Sequence, residues 1–344
     1  MNSRQLEKYE NGEEVDLGFE ITGAGRFRIN ICQQRSNPRL VCRYIPDTIR
    51  TIEELNLPSA VLELTTGQRG LILVTGATGS GKSTTLAAMI DQIARTRSCH
   101  IVTIEDPIEF IFKDRKSIVT QREVGLDTRN FALALKYALR QDPDVILVGE
   151  MRDEETVLMA MAAAETGHLV LSTLHTNDAS ETVNRILGVV SGPMQNQARA
   201  QLSSVLSGVI SQRLLRRKDG KGRIAAVEVL LTNQRVKDMI ADPLRTNDLP
   251  KAIEESQSFG MQSFDQALMR LVSQDLITKE EALNNCTNIR DFQLRLGGIV
   301  AGEWREEPEV SQENRQAQVK RILEEGEEPQ AIEIERISYP KRRG

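Results

Sequence analysis

Aromatic side chains are scarce in this chain. Eight Phe, four Tyr and one Trp serve 344 residues, too few for the stacked platform on which single-stranded nucleic acid lies. Basic charge is not in excess either. Forty-four Lys and Arg against 49 Asp and Glu give a formal net charge of −5, without the bulk positive field of a phosphate-backbone binder, so no nucleic-acid partner is expected. No apolar run approaches the ~18 residues needed to span a bilayer, so no direct membrane span is expected. Cysteine is limited to Cys32, Cys42, Cys99 and Cys286. No two stand as C-x-x-C, so neither a zinc site nor a redox pair is signalled, and the four read as buried fillers or plain reduced residues. The polar start MNSRQLEKYENGEEVD has no apolar core of a signal peptide. The expected location is cytoplasmic, with any work at a membrane passed through a partner.

What is present is an ordinary globular composition, long enough for about two domains at roughly 150 residues each. Residues 1–46 give a helical stretch at 4–10 and two strands, at 25–32 and 40–45, that carry outward Arg residues. Residues 47–56 read as a polar linker. From residue 57 to 231 the pattern changes, and apolar runs alternate with helical periodicity. Strands are expected at 70–75, 100–104, 145–148, 169–174 and 224–231, and helices at 83–95, 130–140, 154–165, 179–189 and 197–215. Continuous Val, Ile and Leu strands separated by helices predict an α/β fold with a mostly parallel sheet covered on both faces. Residues 232–300 are expected to be helical, with Thr278 and Glu281 forming a capping box. Residues 301–344, charged and poor in apolar side chains, read as a disordered tail.

The sharpest signal is Gly76-Ala77-Thr78-Gly79-Ser80-Gly81-Lys82-Ser83, followed by Thr84. It fits G-x-x-x-x-G-K-[ST] throughout, with an expected strand before it and a helix after it. Glycines let the backbone wind so that successive N–H groups face one anion, and the helix N-terminus adds partial positive charge. Lys82 is expected to reach the β- and γ-phosphates and Ser83 to ligate Mg²⁺. Such a loop gives nucleotide binding, not the reaction; the N-K-x-D motif of a GTPase is missing.

Three further segments carry chemistry. The strand ending in Gly149-Glu150 looks like a Walker B strand, with Gly149 where Asp is usual; Glu150 is expected to face Mg²⁺. The run Thr103-Ile104-Glu105-Asp106-Pro107-Ile108-Glu109 places three carboxylates at another strand end, able to hold Mg²⁺ or to orient a water for in-line attack. His168 and His175 bracket an expected strand. His175 falls on the nucleotide side and is expected to sense the γ-phosphate or position water; His168 is doubtful in any such role, and His100 reads as structural.

Taken together, the phosphate loop, TIEDPIE, LRQDPDVILVGEMRD, HLVLSTLHT and GMQSFD resemble the secretion and pilus ATPase superfamily, and within it the type IV pilus retraction ATPases of the PilT and PilU kind. The resemblance spans about residues 15–298. It implies a RecA-like motor domain joined to a smaller PAS-like N-terminal domain, a homohexamer, ATP with Mg²⁺, and an inner-membrane pilus platform protein or a paralogous retraction ATPase as partner. By matched motif it implies that Glu109 is the catalytic base, Glu150 the Walker B glutamate, His168 and His175 the His box, and Arg28 and Arg43 arginines that reach a γ-phosphate. Much of the family's N-terminal domain would lie before Met1, so residues 1–46 are expected to form a reduced or truncated PAS-like region. The absence of a tetracysteine module favours retraction over assembly. Residues 119–128 and 219–231 look closer to PilU, which leaves an accessory subunit with little turnover as the alternative. A RecA-like DNA translocase is disfavoured by charge and by the scarcity of aromatics.

Overall fold

The computed structural model describes residues 1, 3–21, 25–45 and 48–296. The expected tail over 301–344 and residues 297–300 lie outside the described residues. By contact density the chain divides into two compact units, one of residues 1–216 and 222–267, the other of 217–221 with the chain from 268.

The first unit begins with helix α1 (Ser3–Glu10) and an antiparallel three-stranded sheet, β1 (Val15–Ile21), β2 (Gly25–Gln34) and β3 (Asn37–Ile45). Alternation sets its faces. Val15, Leu17 and Ile31 form a small core with Tyr9 of α1, while Arg26 and Arg28 of β2 take the opposite parity. The strand β1 is not expected from sequence; its odd positions Val15, Leu17, Phe19 and Ile21 alternate with polar or small ones, but only Val15 and Leu17 are buried, while Phe19 and Ile21 are exposed.

After α2 (Ser59–Thr65) the chain builds a seven-stranded sheet from β4 (Gly70–Thr75), β5 (His100–Glu105), β6 (Ile118–Glu123), β7 (Val145–Val148), β8 (Leu169–Leu174), β9 (Leu206–Arg216) and β10 (Arg223–Leu231). The spatial order is β10-β9-β4-β8-β7-β5-β6, and every pairing is parallel except β9 with β10. The central strands are buried on both faces, which is why they read as near-continuous apolar runs. Helix α3 (Lys82–Thr96) and α2 pack on one face around Ile72, Val74, Met89 and Ile93. Helices α4 (Phe131–Ala138), α5 (Glu154–Glu165), α6 (Ala179–Val189) and α7 (Gln195–Val205) cover the other, around Leu73, Ile146, Val157 and Ile186. Asn130, Asp153 and Asp178 cap α4, α5 and α6 through their side-chain oxygens, each such cap contributing about 1 kcal/mol.

One expectation fails. The helix read over 197–215 stops at Val205, and Leu206–Arg216 is the strand β9. A short apolar run does not by itself distinguish a buried strand from a buried helix. Here the sheet decides, because β9 completes the ladders of both β4 and β10. Gly208 allows the close approach: a Cβ there would lie 2.9 Å from the Leu230 carbonyl and 3.1 Å from Leu64. The edge strand β6 is also missed, because only one side of it meets a neighbour and Thr120, Gln121 and Arg122 make it look like a loop.

Helices α8 (Gln234–Ala241) and α9 (Leu249–Glu255) follow. The GMQSFD segment then seals the β10 edge. Gln262 exchanges backbone hydrogen bonds with Val229 and donates from its side chain to the Val227 carbonyl at 2.6 Å. Helix α10 (Phe264–Ser273) comes next. In the second unit, Thr278 caps α11 (Lys279–Asn285), α12 (Ile289–Leu296) follows, Phe292 is fully buried, and Lys218 pairs with Asp275. All four cysteines are free thiols, as expected; Cys286 is buried, Cys32 and Cys99 are partly buried and Cys42 is exposed. Its strand β3 exposes every side chain from Asn37 to Tyr44.

One buried carboxylate has a measurable consequence. Glu228 of β10 accepts from the Ala179 amide at 2.9 Å, at the start of α6. Burial, with Asp178 and Asp265 nearby and Arg213 opposing, pushes its pKa from 4.5 to about 7. The folded state therefore holds this proton more tightly than the unfolded chain, and stability falls as pH rises from about 4.5 through 7. Glu228→Gln keeps the acceptor and removes the charge. It should match the parent at pH 4.5 and exceed it at pH 8 by up to about 3 kcal/mol, at 1.36 kcal/mol per pKa unit. Denaturant unfolding at the two pH values measures this; equal differences at both would show that Glu228 stays ionised.

Candidate nucleotide site

The strand order brings β4, β8, β7 and β5 side by side. Their carboxyl ends carry the phosphate loop, His175, Gly149-Glu150 and the acidic segment 105–109, respectively. In an open parallel sheet this edge is where ligands bind. A cleft of about 510 Å³ opens there, within the usual range for a small-molecule site, lined by Thr78, Gly79, Gly81, Lys82, Ser83, Thr84, Glu105, Asp106, Glu109, Glu150 and His175, together with Arg28 and Arg43.

The loop is built by its glycines. Gly76 has φ +139°, and a Cβ on it would stand 2.4 Å from the Gln212 carbonyl. Gly79 and Gly81 are also left-handed, at +80° and +96°, and Gly81 precedes the first turn of α3. Lys82 is 8% exposed. Its Nζ donates to the carbonyls of Gly76 (2.7 Å) and Ala77 (3.1 Å) and lies 3.4 Å from His175 Nδ1. Burial lowers its pKa, while the negative charges of Glu150 and Glu109 work against that. Gly76, Ala77 and Ser80 shape the loop from behind; they do not line the cleft.

The acidic segment divides its labour by environment. Glu105 accepts from Thr103 Oγ1 (2.7 Å) and Gln121 Nε2 (3.2 Å) on one oxygen and from the Glu109 amide (3.4 Å) on the other; burial nevertheless pushes its pKa up. Burial likewise raises Asp106, against the attraction of Arg28. Glu109 faces the cleft, 3.6 Å from Arg28 Nη1. Beyond it, residues 110–117 have neither helix nor strand. They are tied down by β6: Gln121 accepts from the Phe112 amide (2.9 Å) and donates to the Phe110 carbonyl (2.8 Å).

Glu150 is held by Arg152 Nε at 2.6 Å and lies 3.8 Å from His175 Nε2. Burial, then the positive charge of Lys82, lowers the His175 pKa despite Glu150, so the ring is neutral at pH 7. His168 immediately precedes β8, away from the cleft, and is within hydrogen-bonding distance of the Ala163 carbonyl (2.9 Å). His100 bridges the Gln141 carbonyl and Thr120, both at 3.0 Å. Arg152 and Arg223 also line the cleft and escape a sequence reading. Arg152 sits two residues beyond Glu150, within the quoted GEMRD, whereas Arg223 is one of several basic residues in the β9–β10 hairpin, with nothing to single it out.

Among the described residues no group of three or more His, Cys, Asp or Glu is arranged to hold a metal ion. A divalent ion here would rest on a hydroxyl, a carboxylate and substrate oxygens, the ligand set that suits Mg²⁺; Ser83 and Glu150 both line the cleft.

A parallel sheet with a glycine loop, a buried lysine and acidic strand ends at one edge defines a P-loop nucleotide-binding protein. The chain belongs to the family described as Type II/IV secretion system protein, whose model matches residues 19–242. It is 47% identical over 288 residues to a "Twitching motility protein" of Neisseria gonorrhoeae, covering 84% of this chain and 77% of that one. It is 43% identical over 296 residues to the "Type IV pilus ATPase PilU" of Pseudomonas aeruginosa, covering 86% and 77%. A solved structure, "Crystal Structure of the Pilus Retraction Motor PilT and Bound ADP", matches with a TM-score of 0.77 and 49% identity over 85% of this chain and 82% of that one.

Proposed function

We propose that this chain hydrolyses ATP to ADP and phosphate and that, as a homohexamer, it powers retraction of type IV pili. The observation that carries the chemistry is the convergence of Lys82, Glu109, Glu150 and His175, from four neighbouring strand ends, on one cleft. The pilus assignment is supported by likeness to the PilT motor and the twitching motility protein.

The loop 76–81 and the first turn of α3 wrap the phosphates, and Lys82 exchanges its loop carbonyls for phosphate oxygens. Ser83 and Glu150 would hold Mg²⁺, which would neutralise phosphate charge when bound. Glu109 is the best-placed base for the attacking water. Glu105 has both oxygens engaged by internal donors and Glu150 is engaged by Arg152, whereas among the described residues the Glu109 carboxylate is paired with Arg28 alone, at 3.6 Å. Water adds to the γ-phosphorus, the bond to the β-phosphate oxygen breaks, and the proton passes to Glu109. Arg28 and Arg43, brought by the N-terminal sheet, compensate the charge that develops. Neutral His175 offers a hydrogen bond near Lys82 and Glu150. The N-terminal PAS-like region closing over the motor would couple hydrolysis to movement, transmitted to a platform protein at the inner membrane by a motor that is itself cytoplasmic. No helix of the described residues is long and apolar enough to cross a membrane.

A second reading follows from the 43% identity to PilU: an accessory subunit that joins a paralogue's hexamer with little turnover of its own. Steady-state ATPase activity of the isolated protein separates the two. For the cellular role, deletion of the gene should leave cells with abundant surface pili that cannot shorten. Cells without pili would mean an assembly motor instead.

A further inference from the structure

Arg26 lies two residues before Arg28 on β2, yet its side chain is largely enclosed, 15% exposed, where Arg28 faces the cleft. Its Nη2 donates to the Ile108 carbonyl at 3.0 Å, across 82 residues of sequence. On the other side of the same residue, the Ile108 amide donates to Glu123 Oε2 at 3.0 Å. Arg26 and Glu123 are themselves 3.9 Å apart, with side chains only 15% and 6% exposed. Ile108 is thus gripped at both of its backbone polar groups by a pair of opposite charges, one from the N-terminal sheet and one from the end of β6. Glu109 is the next residue.

The grip is built for. Gly18 of β1 lies beside Arg26, and a Cβ on Gly18 would stand 2.6 Å from Nη2; the guanidinium passes through the space that the missing side chain leaves. Glu123 is fixed in turn, its amide donating to Asp127 Oδ2 at 2.8 Å. Burial raises the Glu123 pKa, and the Ile108 amide and Arg26 counter that rise. A buried carboxylate and a largely enclosed guanidinium are costly to desolvate, and here both are aimed at one backbone unit of the acidic segment.

We propose that Arg26 and Glu123 are positioning residues for hydrolysis, a two-sided clamp on Ile108 that sets the place of Glu109 and lets the N-terminal sheet control it. The clamp rests on the assignment of Glu109 as base. Misplacing a catalytic group by about 1 Å can cost about a hundredfold in rate, so the clamp should act on kcat and leave nucleotide binding alone.

The test uses the full chain and ATP. Arg26→Met should lower kcat at least about tenfold while KM for ATP and the dissociation constant of a fluorescent ADP analogue stay within about twofold. Arg26→Lys, which keeps one donor for the Ile108 carbonyl, should recover part of the loss. Gly18→Ala, which displaces the guanidinium without removing it, should also lower kcat, and should do nothing further once Arg26 is Met. Arg39→Ala, on β3 and bonded to Gln34, should leave turnover unchanged. In single-turnover assays with radiolabelled ATP, Arg26→Met should add less than about twofold to the loss in Glu109→Gln, since both act through one carboxylate. Wild-type kcat in Arg26→Met, a loss confined to KM, or losses that multiply in the double variant each overturn the clamp and leave the base assignment standing. Full turnover in Glu109→Gln overturns the base assignment first, and the clamp with it. Should Arg26→Met fail to fold, Gly18→Ala and Glu123→Gln decide by the same readouts.

Discussion

Lys82→Ala should reduce ATP turnover by about a thousandfold, close to 4 kcal/mol of lost transition-state stabilisation. The residue is a cation kept in a glycine loop, 8% exposed; among the described residues no carboxylate is in bonding contact with it, and two carbonyls and a neutral ring are within reach. Burial already favours its neutral form. A group held this way is poised to transfer to a stronger anionic partner, and phosphate oxygens supply one. The fold should survive, because removing a buried cation relieves a desolvation cost, and the space it leaves opens on the cleft that Lys82 lines. Circular dichroism should therefore show an unchanged unfolding midpoint to within a few degrees, and equilibrium binding should show weakened ATP. Turnover within tenfold of the parent would mean that the loop binds something other than a triphosphate.

Glu109→Gln should produce a different phenotype, with turnover lowered by about 10² to 10⁴ and nucleotide affinity retained. The amide fills the same space and cannot accept the proton of the attacking water. The ion pair it gives up with Arg28, at 3.6 Å between partly exposed groups, contributes less than about 1 kcal/mol to stability. The contrast between the two variants is diagnostic: the lysine change weakens binding and rate together, the glutamate change only the rate. If Glu109→Gln retains full steady-state turnover, another group takes the proton.

The parts of this site that were legible in the sequence are the local ones. The phosphate loop announces itself because glycines at Gly76, Gly79 and Gly81 are demanded by left-handed backbone, and that demand is written within eight residues. The strands β4, β7 and β8 were legible to the residue, because burial on both faces favours a mostly apolar run, broken in β8 only by Ser172 and Thr173. Their adjacency was not legible: that β8 inserts between β4 and β7, and so brings His175 to Lys82, is a property of the sheet. The strand β9 was misread because its apolar run suits either element until its neighbours are known. Arg26 could not be found at all. Its contact is 82 residues away, and what makes room for it is an absent side chain at Gly18.

The stretch from Phe110 to Ser117 takes its order from borrowed contacts, chiefly the amide of Gln121, which both accepts from and donates to its backbone. Regular structure melts cooperatively; a segment pinned at a few points behaves instead like fabric on tacks. Loosening one tack slackens a short length and leaves the sheet beneath taut. The acid that faces the cleft is thus sewn to a margin that can give way while the phosphate loop keeps its shape.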